Sequence, residues 1–318
     1  MELDVVTIGS ATRDIFVIPD EIMYIDNKKD IAKKKLIAFE YGAKVSTEYI
    51  KSHIGGTAIN IAVGLSRLGM AAAPMCAIGE DDAGQGILEK LKKEAVSSML
   101  IDVREKNRTD QSVIMLDKLT RERTIFVFKD AGKMFTPDFS LASPKGIFVS
   151  SLRDNWETSL EQIRDFAASK QIRLFFNPGL YQVQAGIESL KKFLVSVEAV
   201  FLNDDEAIEF TGKKFKADIA KMAAYIASLG PKIVVITEGE KGAHVFHEGQ
   251  MHDAPIRSVT AKDVTGAGDA FVSGFLAAYL KEKTVDEALK WGINNSSSVV
   301  GHVGTLKGLL TLNQIENA

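Results

Sequence analysis

Short runs in which nearly every residue is apolar recur along the chain, and longer stretches separate them whose apolar residues return every three or four positions. The runs are 4-DVVTIGS-10, 72-AAPMCAIG-79, 146-GIFVSS-151, 172-IRLFFN-177, 198-EAVFLN-203 and 232-KIVVITEG-239. Between them lie 58-AINIAVGLSRLG-69, 84-GQGILEKLKKEA-95, 157-ETSLEQIRDFAASK-170 and 217-ADIAKMAAYIASLG-230. A strand that is apolar on both faces needs cover on both faces, and an amphipathic helix between two such strands provides it while returning the chain for a parallel partner. The pattern predicts an α/β protein with a mainly parallel sheet between two helical layers. Ligands of such sheets bind beyond the carboxyl ends of the strands, so the residues that close each run are the ones to inspect.

Two regions break the rhythm. Residues 12–53 hold 14-DIFVIPD-20 and 35-KLIAFEYGAKVSTEYIKS-52, and residues 111–129 hold 112-SVIMLDK-118 and 123-RTIFVFK-129. Their more alternating character predicts antiparallel strands forming a small β lid that leaves and rejoins the main sheet. The lysines of 28-KKDIAKKK-35 read as a solvated edge that discourages strand pairing, with contact to an anionic substrate as the other reading. There is no internal repeat, low-complexity tract or linker, so a single domain over 1–318 is expected.

Composition narrows the function classes. The 318 residues carry a formal net charge of -3, which argues against a nucleic-acid binder, since those concentrate basic residues on the binding face. Cys76 is the only cysteine, which excludes an intramolecular disulfide and a Cys-rich zinc site and fits a reducing cytoplasm. No stretch is apolar for the roughly 18 residues a membrane span requires, and 1-MELDVVTIGS-10 lacks a signal peptide's basic start. The expectation is a cytoplasmic protein without membrane or nucleic-acid partners.

The chemistry concentrates in 263-DVTGAGDAF-271, where Gly266 and Gly268 precede Asp269 and an apolar helical repeat follows in 271-FVSGFLAAYLKEK-283. A glycine-rich turn entering a helix presents free backbone amides that attract anions, and the missing Cβ atoms let a phosphate approach closely. Asp269 would repel a resting anion, yet it is well placed to take a proton from a hydroxyl attacking that anion; stabilising the helix start is the plainer reading. The combination points to phosphoryl transfer from a nucleotide to an alcohol. A dinucleotide site is disfavoured because the third glycine position is Phe271 and 284-TVDEALKWGINNSSSVVG-301 is helical; no P-loop motif occurs either.

With 263-DVTGAGDAF-271 in place, the chain resembles the ribokinase-like (PfkB) family of carbohydrate and nucleoside kinases over essentially its full length. Four further segments occur in the family's order. The first, 55-GGTAIN-60, is similar to the family's substrate element: Gly55 and Gly56 let a hydroxylated ligand touch the backbone, Thr57 stands where ribokinases usually carry Lys, and Asn60 can donate and accept. The second is Asp14, matching the acid after the first strand that receives substrate hydroxyls. The third, 203-NDDE-206, matches the magnesium–phosphate motif through Asn203 and Glu206, which would act through water; the same spacing is a helix capping box, and both readings can hold at once. The fourth, 237-TEGEKG-242, matches the nucleotide loop through Thr237, Gly239 and Gly242, although alone it is an ordinary hairpin turn.

The resemblance implies a ribokinase-like three-layer α/β/α core with a small β-sheet lid, and in-line transfer of the γ-phosphoryl group of ATP to a primary hydroxyl of a sugar: a pentose, a hexose or a keto-deoxy sugar acid. It places the base on Asp269, the anion hole on the amides of Gly266, Ala267 and Gly268, a potassium-type monovalent cation beside Asp263 and the backbone of 301–305, and the adenine pocket near Asn294 or its neighbour Asn295. Mg2+ accompanies ATP in this scheme. Nucleoside kinases of the family share the machinery, so a nucleoside acceptor stays open. A non-catalytic sugar sensor on the same fold is the reading from another class, and the intact 266-GAGD-269 argues against it. Lids of this family often pair into homodimers, for which the apolar faces of 35–45 and 112–118 leave room. Three departures bear on the acceptor: Val264 replaces a usual Thr, 129-KDAG-132 replaces a G-A-N-like continuation of the lid, and 150-SSLRDN-155 faces the ligand without matching any family pattern.

Overall fold

A computed structural model of the chain describes residues 2–26, 35–120, 123–212 and 214–318. Its strands are β1 (Glu2–Ile8), β2 (Thr12–Pro19), β3 (Met23–Asp26), β4 (Lys35–Ala38), β5 (Thr47–Gly55), β6 (Ala72–Gly79), β7 (Ile101–Arg104) and β8 (Asp110–Leu116). They continue with β9 (Arg123–Phe128), β10 (Ser143–Val149), β11 (Arg173–Phe176), β12 (Val197–Asn203), β13 (Ile233–Thr237), β14 (Ala243–His247) and β15 (Gln250–Ala254). Among the described residues, nine strands form one sheet in the order β15-β14-β13-β12-β11-β10-β1-β6-β7. The ladders from β7 to β13 are parallel, and only β14 and β15 run against their neighbours.

The unbroken apolar runs explain this sheet. Every residue of β6 is buried, and alternate residues of the central strands enter two separate cores. One core lies under helices Thr57–Arg67, Ala267–Leu280 and Val285–Val300, the other under Trp156–Lys170, Ile187–Leu194 and Ile219–Ala227. Packing on both faces is what a parallel sheet requires, and it gives the expected three layers. Among the described residues, no helix is long and apolar enough to cross a membrane.

A second, four-stranded sheet has the order β5-β2-β8-β9, and β3 and β4 form a separate two-stranded arm. The predicted antiparallel pairing holds for β2 with β5 and for β8 with β9, but β2 and β8 are parallel. The reason is topological: β1 and β7 run the same way in the main sheet, and each continues past its carboxyl end into β2 or β8. Two chains leaving one parallel sheet by the same end arrive side by side in the same direction. The lysine run at 28–34 lies outside the described residues, as do Arg121 and Glu122.

Candidate active site

Residues 263–269 form a turn fixed from outside. Gly266 adopts φ +81 as the residue before helix Ala267–Leu280, and a Cβ there would sit 2.8 Å from Cβ of Thr305. Only glycine suits this backbone and this gap. Asp263 is 4% exposed and accepts from the amides of Thr265 at 2.9 Å and Gly304 at 3.0 Å, which ties the turn to the 301–305 loop. The amide of Ala267 reaches the Val264 carbonyl at 3.3 Å, whereas the amides of Gly266 and Gly268 have no protein acceptor among the described residues. A Cβ at Gly268 would meet nothing within 4 Å. Two free amides therefore open onto space at a helix N-terminus, where an anion is stabilised.

Asp269 stands in the first turn of that helix, and its carboxylate accepts from the Asn60 side-chain amide at 2.7 Å. Burial raises its pKa, the Asn60 donor opposes that rise, and the charges of Asp14 and Glu206 add to it; the net result is about 6. The carboxylate is thus largely ionised at neutral pH yet more basic than an ordinary Asp, a combination suited to accepting a proton. Asn60 is itself held, because its carbonyl oxygen lies 2.9 Å from the Thr305 hydroxyl. The sequence points Asn60 at a ligand and gives Thr305 only a backbone role beside the monovalent cation. Both polar ends of Asn60 are engaged within the protein, and Asn60 and Asp269 are 209 residues apart in the chain.

The glycines of 55–56 also serve the chain itself. Gly55 packs directly against the Asp14 carboxylate, where any Cβ would collide with it. Gly56, at φ +96, packs on the backbone of Ser10 and Ala11, while the Ser10 hydroxyl accepts from the amide of Thr57, the first residue of its helix. Asp14 is 6% exposed and receives the Thr12 hydroxyl at 3.0 Å. Burial raises its pKa, which the hydroxyls of Thr12 and Ser112 and the charge of Lys129 partly offset.

One open cleft brings together Gly266, Gly268 and Asp269 with Asn203, Glu206 and Thr237, which end strands or begin helices on the neighbouring edge. Asn177 and Arg123 line it too. Asn203 and Glu206 form a complete capping box: the Glu206 amide donates to Asn203 Oδ1 at 2.7 Å, and the Asn203 amide donates to Glu206 Oε2 at 2.9 Å. Burial is the main cause of a raised Glu206 pKa. Gly239, at φ +53, and Gly242, at φ +106, shape the turn after β13, and the Glu238 amide closes that turn on the Gly242 carbonyl at 2.8 Å. The two candidate asparagines differ in kind. Asn295 is fully buried and spans the Ala270 carbonyl at 2.8 Å and the Leu310 amide at 2.9 Å, so it is a structural brace. Asn294 is also buried, but its side-chain nitrogen has no partner among the described residues, which marks it as the one with a free donor.

Residues 19–312 match the model of the pfkB family carbohydrate kinase. The chain belongs to that family. The 6-phosphofructokinase of Thermoanaerobacterium thermosaccharolyticum, an ATP-dependent enzyme, is 23% identical over 95% of this chain and 98% of its own length. A fructokinase of Klebsiella pneumoniae is 29% identical over 70% of this chain and 76% of its own. Among solved structures, the Methanocaldococcus jannaschii nucleoside kinase superposes with a TM-score of 0.80 at 21% identity, covering 99% of this chain and 97% of that one. The Arabidopsis thaliana ribokinase complexed with ribose and ATP gives 0.79 at 20% identity, covering 100% and 98%. The fold is ribokinase-like, and family membership makes the chain a phosphotransferase of the carbohydrate kinase class.

Within this pfkB kinase, Arg123 holds a place in the cleft that the sequence alone does not assign. It comes from the first position of β9, on the small sheet, yet it lines the same cleft as the amides of Gly266 and Gly268. It opens the apolar run 123-RTIFVFK-129, and only the sheet topology brings that segment over the carboxyl ends of the main strands.

Proposed function

We propose that the chain transfers the γ-phosphoryl group of ATP to a primary hydroxyl of a sugar, with Asp269 as general base and the small sheet as lid. The observation that carries this reading is Asp269 itself: a carboxylate of raised basicity, held by Asn60, beside two unsatisfied amides. The acceptor hydroxyl gives its proton to Asp269 and forms the new bond to phosphorus. The bond from phosphorus to the bridging β–γ oxygen breaks, and ADP leaves with that electron pair. The amides of Gly266 and Gly268 take the oxygens of the group in transit, and Arg123 neutralises charge from the lid side. Asp14 binds acceptor hydroxyls beside the backbone of Gly55, Gly56 and Thr57, while Thr237 and Asn294 serve the nucleotide.

Glu206 and Asn203 suit Mg2+ held largely through water: among the described residues no cluster of three or more acidic, His or Cys side chains could enclose a metal, and Mg2+ needs few protein ligands. When bound, the ion would offset phosphate charge. Asp263 is a buried carboxylate with no ion-pair partner among the described residues, which suits a monovalent cation beside the 301–305 loop. The test is Asp269→Asn, which should bind ATP and acceptor normally and lose about 10³-fold in kcat; near-normal turnover overturns the assignment. Running the same assay in KCl and in tetramethylammonium chloride tests the cation, and equal rates in both remove it. The lid also exposes Ile50, Phe126 and Val127 at 69%, 59% and 58%, an apolar surface that a second copy's lid would cover. Size-exclusion chromatography with light scattering reads this directly, a monomer at micromolar concentration being the contrary result.

A further inference from the structure

Beyond the cleft just described lies a smaller recess that nothing in the transfer chemistry uses. Its floor is Gly9–Ala11, the turn after β1, and its walls carry Asp110, Lys129 and Arg153. The turn at Ser10 and Ala11 is the same one that supports Gly56 and Thr57 from the other side. Across the small sheet Thr12 pairs with Asp110 and Asp14 with Ser112, which sets the recess beside Asp14. The recess therefore adjoins the residues proposed to bind the acceptor, and it shares no lining residue with the cleft of Gly266, Gly268 and Asp269.

Its charges are unevenly matched. Asp110 is 2% exposed and its Oδ1 accepts from the amides of Asp130 at 2.8 Å and Gly132 at 3.2 Å, so it fixes the turn that follows β9. Lys129 lies 3.2 Å from Asp110 Oδ2 and is already paired. Arg153 has no carboxylate partner among the described residues. Its guanidinium donates to the Tyr181 hydroxyl at 2.5 Å and lies 5.0 Å from that ring, while its Nε is buried with no acceptor among the described residues. A desolvated guanidinium donor without an acceptor is costly in an empty protein and is satisfied when an anion arrives. Lys129 and Arg153 also fall in the two segments, 129–132 and 150–155, that depart from the family's patterns.

We propose that the acceptor carries an acidic group, a carboxylate or a phosphate monoester, at the end remote from the phosphorylated hydroxyl, and that Arg153 binds it with Lys129 alongside. This deepens the sugar-kinase reading and rests on it for the position of the acceptor. Arg153 would grip the anion in a fork of two donors, Nε and a terminal nitrogen, and Lys129 would add charge. A neutral sugar or a nucleoside would leave the fork empty.

The experiment uses the full chain with ATP and magnesium and measures ADP release on fructose, fructose 6-phosphate, 2-keto-3-deoxygluconate and inosine. At least one of the two anionic acceptors should exceed fructose and inosine in kcat/KM by about 100-fold, the scale of a buried charge-assisted pair, and the two arms tell phosphate from carboxylate. Arg153→Met should raise KM for that acceptor about 10- to 100-fold and leave KM for ATP unchanged; Arg153→Lys should recover part of the loss. Thermal unfolding of both variants separates misfolding from lost binding. A preference for fructose or inosine, or an Arg153→Met loss equal on neutral and anionic acceptors, overturns the proposal and leaves the kinase reading standing. Stabilisation of Asp269→Asn by the anionic acceptor alone supports the proposal even if that variant turns over normally and the base assignment fails. No stabilisation by either anionic acceptor overturns it.

Discussion

The cleft and the recess beside it, proposed as the phosphoryl and acceptor ends of one site, are built by opposite means. At the phosphoryl end one contiguous segment, 263–269, supplies the turn, the free amides and the proposed base, with Thr265 holding Asp263 from within, and the surrounding chain completes it: Gly304 also holds Asp263, Asn60 holds Asp269, and Thr305 reaches Asn60. At the acceptor end Lys129 follows β9, Arg153 follows β10, and the Arg153 Nε has no acceptor among the described residues. The first arrangement is preorganised, as groups that meet charge in a transition state need to be. The second is incomplete without a ligand, as groups that discriminate need to be, because a wrong ligand leaves them unpaired. On that proposal, chemistry falls to the cleft and selection to the recess.

The strongest challenge to that division is Asn60, which sequence reasoning gave to the substrate and which sits on the base. Asn60→Leu should lower kcat about 10²-fold for every acceptor, with KM changed little, since it releases the base and not the ligand. The pH profile supplies a second reading. Asp269 must be ionised to accept a proton, so kcat/KM should fall below about pH 6 in the unaltered chain. Asn60 opposes the rise in that pKa, so its removal should move the acid limb to higher pH. An effect confined to KM, with an unmoved limb, would return Asn60 to the acceptor and erase the contrast.

The same contrast explains what the sequence made legible. The segment 263-DVTGAGDAF-271 could be read because its chemistry is local: turn, helix start and acid lie within nine consecutive residues. The fully buried β6 and its neighbours could be read because apolar runs dictate a covered parallel sheet. Partners set by topology could not. Nothing near Asn60 in sequence indicates Asp269 or Thr305, and the parallel pairing of β2 with β8 follows only from the shared direction of β1 and β7. Strand β7 itself, 101-IDVR-104, is short and half charged and carries no apolar signature. Asn203 and Glu206 show a further limit: their spacing encodes a capping box and a phosphate-side pair equally, and the capping box is fully formed.

The smallest expected effect concerns stability and separates the base from a mere helix-start residue. A helix-start Asp stabilises its helix when ionised, so an amide there would cost stability at neutral pH. A base held in a desolvated cleft does the reverse. With its pKa raised from 3.8 to about 6, folded Asp269 binds a proton more readily than the unfolded chain, so its ionisation destabilises the fold above pH 6 and that penalty fades as pH falls toward 3.8. Asp269→Asn should therefore raise the melting temperature at pH 7.5, by about 1–5 °C, and the gain should shrink through pH 6 and be gone near pH 4. Thermal unfolding of both chains across that range measures it. A lower melting temperature for the variant at pH 7.5 would make Asp269 a structural cap, and the phosphoryl end would lose its claim to be the strained, working end of the cleft.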